Sequence, residues 1–240
     1  MRDRIPLLAG LFLLAVAIVI GSFEIADGIR NRNQSDVVTV TGSAKKRIVS
    51  DYAIWDASVT SADPSASAAA SRLTGWTNKV LAFLTEQGIK DAEVTVQPVS
   101  TQTISQQDAK STGSVPGYQL TRNFEVRSPR VQAVADVAEA SSRLLAEGIP
   151  FSAQPLQYVY TKLPDLRPEL LAAATKDAQN RAKILVGASG ASLGRIRGVN
   201  VGVFQVTSPN STDVSDYGVY DTSTLQKDVT AVVNVTFALG

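Results

Sequence analysis

The sequence predicts an α+β protein: an N-terminal transmembrane helix, then a mixed sheet with split βαβ-like units and helices packed on it, and finally a long helix followed by a terminal strand pair. Three observations predict it. Residues Ile5 to Phe23 carry no charge. Between Asp51 and Leu163 the hydrophobic period switches between two and 3.6 in the order strand, helix, strand, strand, helix, strand. From Leu163 to Val201 one long helical pattern feeds one strand.

At about 1.5 Å per residue, the nineteen residues from Ile5 to Phe23 nearly span a bilayer core of roughly 30 Å. The run is long for a signal core and no Ala-x-Ala follows, so residues 1–23 read as a retained anchor; the alternative is a signal peptide cleaved near Val19 and Gly21. Arg2 and Arg4 favour an inside N-terminus, against Arg30 and Arg32 on the far side. Residues 24–36 are polar and aperiodic, a tether reaching about 20 Å by random-coil scaling. The folded domain then spans residues 37–240.

It opens with strands at Val37 to Gly42 and Asp51 to Ser61. Asp63-Pro64 reads as an N-cap with proline at the first helical position, starting a helix that ends at Gln87 with Gly88 as the left-handed stop and Ile89 folding back. Leu73, Trp76, Val80, Phe83 and Leu84 form its buried face. Strands follow at Glu93 to Ile104 and, after a polar loop from Ser105 to Gly117, at Tyr118 to Arg127, where Arg122 is the one charge in the apolar phase. Ser128-Pro129 repeats the cap-plus-proline device for a helix to about Glu147, and Gly148-Ile149 repeats the stop. A strand at Leu156 to Leu163 completes the split βαβ order, in which right-handed crossovers put both helices on one face.

The long helix takes Asp165 as its cap, with Pro168 in the first turn. Leu171, Ala174, Ala178, Ala182 and Leu185 draw a narrow, alanine-rich stripe, so whatever packs there comes close. Asp177 and Arg181 sit four apart in the favourable order on another face. Gly187, Gly190 and Gly194 end the helix. The strand Arg195 to Gln205 changes phase around Gly198, which a bulge explains. The final strand puts Val229, Val233, Val235, Phe237 and Leu239 on one face and Thr230, Asn234 and Thr236 on the other. Between these strands, Thr207 to Lys227 is about twenty residues without clear secondary structure, a length that tends to be functional or disordered. Tyr217, Val219 and Tyr220 inside it are candidate partner contacts, as are Asp177 and Arg181.

Composition narrows the chemistry. With 23 Lys and Arg against 22 Asp and Glu, and no basic cluster, nucleic acid is not the expected partner. There is no cysteine and no histidine, which removes thiol nucleophiles, imidazole acid–base chemistry, Cys/His zinc sites and disulfides. Asp213, Asp216 and Asp221 do not have EF-hand spacing and read as a solvated loop. Ser43 with Lys45 or Lys46 lacks any nucleophile motif and reads as a polar strand end. Asp51 reads as a carboxylate orienting a turn through local backbone bonds. Trp55, Trp76 and Phe83 fall at strand and helix spacing and read as core. No catalytic, metal or cofactor residues are expected.

The run Ala173, Ala174, Asp177, Ala178, Arg181, Ala182, Lys183, Leu185, followed by Leu193-Gly194-Arg195-Ile196, resembles the signature helix of the SIMPL-domain family. Val37 to Gly42 (VVTVTG) with Val49 to Ala53 (VSDYA) resembles that family's opening strands, with Ser50 where proline is usual. Asp228 to Leu239 resembles its closing strand. This resemblance implies a bacterial envelope protein without established catalytic residues, linked to envelope and oxidative stress tolerance, with some members building ring-shaped assemblies. The expected protein is a non-enzymatic scaffold, a homo-oligomer held at the inner membrane by its single N-terminal helix with the folded domain in the periplasm, or secreted there after signal cleavage. An envelope protein is a further expected partner. The alternative is a binding module that captures a lipid, peptide or partner protein through the loop at residues 207–227.

Overall fold

The computed structural model describes residues 36–105, 116–213 and 215–240. The expected anchor and all but the last residue of the tether lie outside these, as does most of the polar loop before Gly117. Among the described residues no helix is long and apolar enough to cross a membrane. In chain order the elements are β1 (Val37–Val49), β2 (Tyr52–Asp63), α1 (Ala66–Glu86), β3 (Val94–Val96), β4 (Ser100–Ile104), β5 (Gly117–Ser128), α2 (Val131–Ala140), α3 (Ser142–Ala146), β6 (Phe151–Ala153), β7 (Gln157–Val159), α4 (Leu163–Ser189), β8 (Leu193–Val201), β9 (Gln205–Thr207) and β10 (Gln226–Leu239). They form two compact units. One takes the described residues up to Ala44 with Leu171–Gly202 and Val232–Gly240; the other takes Lys45–Leu170 and Val203–Ala231.

The larger unit is built on β2. Its sheet runs β3-β5-β2-β6, with β4 also on β5 and β7 also on β2. Taking β3 with β4 and β6 with β7 as two interrupted strands, this is the order of a split βαβ unit. Every registered neighbour is antiparallel, so the expected mixed sheet is corrected. The reason is geometric: each helical crossover skips one strand position, and a third, antiparallel strand fills the gap. Ala53, Trp55, Ala57 and Val59 of β2 are buried, and they share one core with Leu73, Val80, Phe83 and Leu84 of α1, Val134 and Val137 of α2, and Leu144 of α3. Because the helices meet a single phase of β2, they lie on one face of the sheet. The other phase, Ile54, Asp56, Ser58 and Thr60, is half-buried and faces away from them.

Both glycine stops hold. Gly88 and Gly148 have φ of +82° and +75°, and the amides of Ile89 and Ile149 reach back to the carbonyls of Leu84 and Leu144 at 2.9 and 3.0 Å. The helix starts shift inward. Asp63 and Ser128 are the last residues of strands, paired with Tyr118 and Ala53, and their side chains accept the amides of Ser65 and Arg130 two residues on, at 2.9 and 3.0 Å. Pro98 and Pro155, which have no amide proton to give a ladder, each fall between two short strands where the sequence suggested one. The strand at Phe151–Ala153 escapes the sequence reading for that reason. The second helix breaks at Ser141, whose hydroxyl donates to the Ala138 carbonyl at 2.7 Å. Arg122 is tolerated in its apolar phase because its guanidinium donates to the Gln97 carbonyl at 2.9 Å.

In the smaller unit β10 lies between β1 and β8. Val233, Val235 and Phe237 of β10 are buried, while Thr236 and Asn234 meet Thr39 and Thr41 of β1 at 2.9 and 2.6 Å. The β8–β10 register slips between Thr236 and Phe237, opposite Gly198 and Ile196, which is the expected bulge, and slips again before Leu239. The long helix starts at Leu163, so Asp165 lies in the first turn instead of capping it and Pro168 falls beyond that turn. Gly187 stays helical, and Gly190, at φ +77°, makes the stop. Ala174, Ala178 and Ala182 are fully buried as expected, but the stripe continues to Val186, and Leu185 is exposed. From Leu166 to Val186 burial along α4 follows an i+4 row, an inclined ridge of the kind helices use for packing; Leu170 lies on it, and the expected Leu171 and Leu185 are off it. That row meets β1 at Gly42: a Cβ there would lie 2.2 Å from the Ala174 carbonyl oxygen and 2.4 Å from the Ala178 nitrogen.

Two predictions follow from these contacts. Replacing Gly42 by alanine forces α4 off β1 and lowers unfolding free energy by about 3 kcal/mol in urea melts, at the upper end for overpacked sites. Glu93 is the second case. Hydrogen bonds from Arg130 above all, and from Ser128 and the Lys90 amide, outweigh burial and hold its carboxyl down to about 2. A depressed carboxyl stabilises the fold above its unfolded value, and that contribution is lost as pH falls through about 2. The urea midpoint of the parent therefore exceeds that of Glu93→Gln at pH 7, and the gap narrows from about pH 5 downward.

Candidate functional site

The chain between β9 and β10 is the irregular segment expected from sequence, yet it is tied down along its length. The Val206 amide donates to the Val219 carbonyl and the Asp221 amide to the Val206 carbonyl, both at 2.8 Å; the Tyr158 amide donates to Thr222 at 2.7 Å and the Ser50 amide to Leu225 at 2.9 Å. The Gln205 side-chain amide donates to the Ser215 carbonyl at 2.6 Å. Gly218 turns the chain at φ +88°, where a Cβ would also press on the Phe204 carbonyl at 3.0 Å.

Buried charge fixes the far end of the segment. Lys227 has a side chain with no exposed surface, and its ammonium donates to the Thr224 carbonyl at 2.6 Å and to Asp221 at 3.4 Å. Burial pulls its pKa down, against the pull of the Asp221 carboxylate. Burial alone would raise the Asp221 carboxyl, but hydrogen bonds from Ser223 and Thr224 and the nearby ammonium hold it below the usual carboxylate range. Asp228, also buried, accepts from Arg47 at 2.9 Å and from the Asn210 amide at 3.2 Å. The Arg47 bonds hold its carboxyl down against burial.

Three of the predicted contact residues meet here. Tyr217, Val219 and Tyr220 line an open cleft of about 330 Å³ together with Leu163, Arg167 and Phe204. Tyr217 is 97% exposed. The Tyr220 hydroxyl is already engaged, accepting from the Tyr160 amide at 3.0 Å and donating to its carbonyl at 3.2 Å, so this residue clamps the segment. Arg167 stacks 5.6 Å from the centre of the Phe204 ring and forms no ion pair with a described residue. An apolar floor with a cation at its rim that pairs with no described carboxylate suits an apolar group carrying negative charge. Neither Arg167 nor Phe204 was singled out from sequence. They stand 37 residues apart, in the first turns of α4 and in the connection between β8 and β9, and neither carries a motif.

The other two predicted contacts, Asp177 and Arg181, belong to the smaller unit. The Asp177 carboxylate accepts the Ser43 amide at 2.9 Å and Arg181 Nε at 2.8 Å, so the pair fastens α4 to β1. Lys46 pairs with Glu169 at 2.8 Å, and Lys45 stands 3.9 Å from Asp228. Asp51 does bind backbone, but not locally: it accepts the Thr161 amide at 2.7 Å and the Thr161 hydroxyl at 2.9 Å across 110 residues.

Removing the Asp221 charge isolates a buried ammonium. Asp221→Asn is expected to cost about 3 kcal/mol in urea melts and to speed amide exchange at Tyr158 and Ser50, whose partners lie on the released segment.

No curated protein matches the chain. A solved structure, the regulatory subunit of aspartate kinase from Thermus thermophilus in its ligand-free form, aligns at 18% identity over 81% of this chain and 88% of that one, with a TM-score of 0.23, too low to bear on fold or site. The family described as SIMPL, protein of unknown function (DUF541), matches residues 38–237 and so takes in both units and the cleft. The chain belongs to the SIMPL family.

Proposed function

We propose that this SIMPL-family protein is a non-enzymatic scaffold of the bacterial periplasm, anchored in the inner membrane by residues 1–23, that self-associates and serves envelope stress tolerance. One observation supports self-association most. Val199 and Val201 of β8 stand opposite Val235 and Val233 of β10, which are buried, yet each remains 50% exposed, and Ile196 is 48% exposed. The apolar face of the sheet thus continues one strand beyond its cover. With β8 at the edge, among the described residues, it offers both a row of backbone groups and an apolar strip to a second copy. A second reading, capture of an apolar, negatively charged segment in the cleft, draws on Arg167, which has no ion-pair partner among the described residues.

The mass of the detergent-extracted full chain tests both. The scaffold reading expects a discrete oligomer that the double variant Val199→Glu, Val201→Glu reduces to monomer and Arg167→Glu leaves intact. A monomeric parent overturns it, and loss of a co-purifying partner on Arg167→Glu supports capture.

A further inference from the structure

The open face of the six-stranded sheet holds a feature that self-association does not use. Four strands bring one polar row together: Ser58 stands opposite Asn123 on one side and Ser152 on the other, and the Gln97 amide donates to the Asn123 carbonyl at 2.9 Å. Asp56 lies next to this row, and the Gln154 amide donates to its carbonyl at 2.8 Å. The side chains of Asp56, Ser58, Gln97, Asn123, Ser152 and Gln154 line one shallow cavity of about 250 Å³.

Other polar side chains on this face are spent internally. Thr60 and Thr121 share a hydrogen bond at 3.0 Å, and Glu125 pairs with Arg127. None of the six cavity side chains, four in the central row and Asp56 and Gln154 beside it, bonds to another described residue. A sheet face that merely meets water is usually charged; this cavity is lined by amides and hydroxyls, with one carboxylate, no cation, and the core residues Ala57 and Phe124 beneath.

We propose that this cavity binds a neutral oligosaccharide. Amide and hydroxyl side chains both donate and accept, as each sugar hydroxyl does, and Asp56 adds one charge-assisted acceptor. An anion would meet Asp56 with no cation in the cavity lining. A divalent metal would find a single carboxylate, and a nucleic acid no basic groove and no exposed stacking ring, since Phe124 is buried in the core. Four strands at about 4.8 Å spacing make a row about 14 Å long, the reach of three sugar rings. With no aromatic platform the affinity is weak, with a Kd on the order of 1 mM.

Saturation-transfer NMR on the full chain, held in a sugar-free zwitterionic detergent, with chitotriose and maltotriose as probes, decides it. Transfer to the ring protons of at least one trisaccharide is expected. Binding should weaken about tenfold in Asn123→Ala, Gln154→Ala and a few-fold in the isosteric Asp56→Asn, which keeps the fold if the double variant does not. Arg167→Ala should bind as the parent does. No transfer to either probe overturns the proposal, and so does parent-like binding by the folded variants. Either result leaves the oligomer mass unaffected, so the two readings fail separately.

Discussion

The smaller unit rests on one contact, the approach of α4 to β1 at Gly42. With no side chain at Gly42 and only methyl groups at Ala174, Ala178 and Ala182, helix backbone and strand backbone come almost into touch. Asp177 closes the same junction by accepting the Ser43 amide, and Arg181 steadies Asp177. Close approach excludes larger residues along the whole ridge, which accounts for its composition. It also leaves β8 uncovered, since a helix held tightly over β1 and β10 has little width to spare for the edge strand. The exposed valines of β8 are the consequence.

The larger unit solves a different packing problem with the same economy. Its helices cover one face of the sheet with Leu, Val and Phe, and every registered strand pair is antiparallel. That leaves a second face free of packing demands. Polar residues there are not fixed by the core, and those of the Gln97–Asn123–Ser58–Ser152 row are free to meet a ligand. Ahead of β10, Lys227 and Asp228 are buried, and hydrogen bonds, with the half-buried Asp221 among the partners, offset the desolvation. A segment with almost no regular structure is thereby given one conformation, and Tyr217 is presented to solvent from a firm base.

Much of the scaffold was legible in the sequence. The glycine-isoleucine stops, the alternation in β2, β5 and β10 and the alanine stripe all depend on neighbours a few residues away, where pattern and propensity act. The failures share a cause as well. A spacing of three is as helical as one of four, so pattern alone puts Leu185 on the stripe; only the path of the partner strand selects the i+4 row. Asp51 was expected to bind locally, and its partner Thr161 is unreachable by any rule of spacing. The cleft was half visible: the aromatic residues of the long segment marked it, while Arg167 and Phe204 come together through folding alone.

By itself the sequence determined the class of elements, their order, where most helices stop, which strand faces turn inward, and the absence of thiol and imidazole chemistry. Those properties follow from local sterics, from hydrophobic period and from composition. Tertiary structure alone decided that the strands of each registered pair run antiparallel, that Arg167 stacks on Phe204, and that, among the described residues, β8 lies at an edge with its valines bare and six polar side chains without a partner converge on one cavity. Each of these depends on which distant segments become neighbours, and that choice is made by the packing of the whole unit, which no stretch of chain encodes in its own spacing.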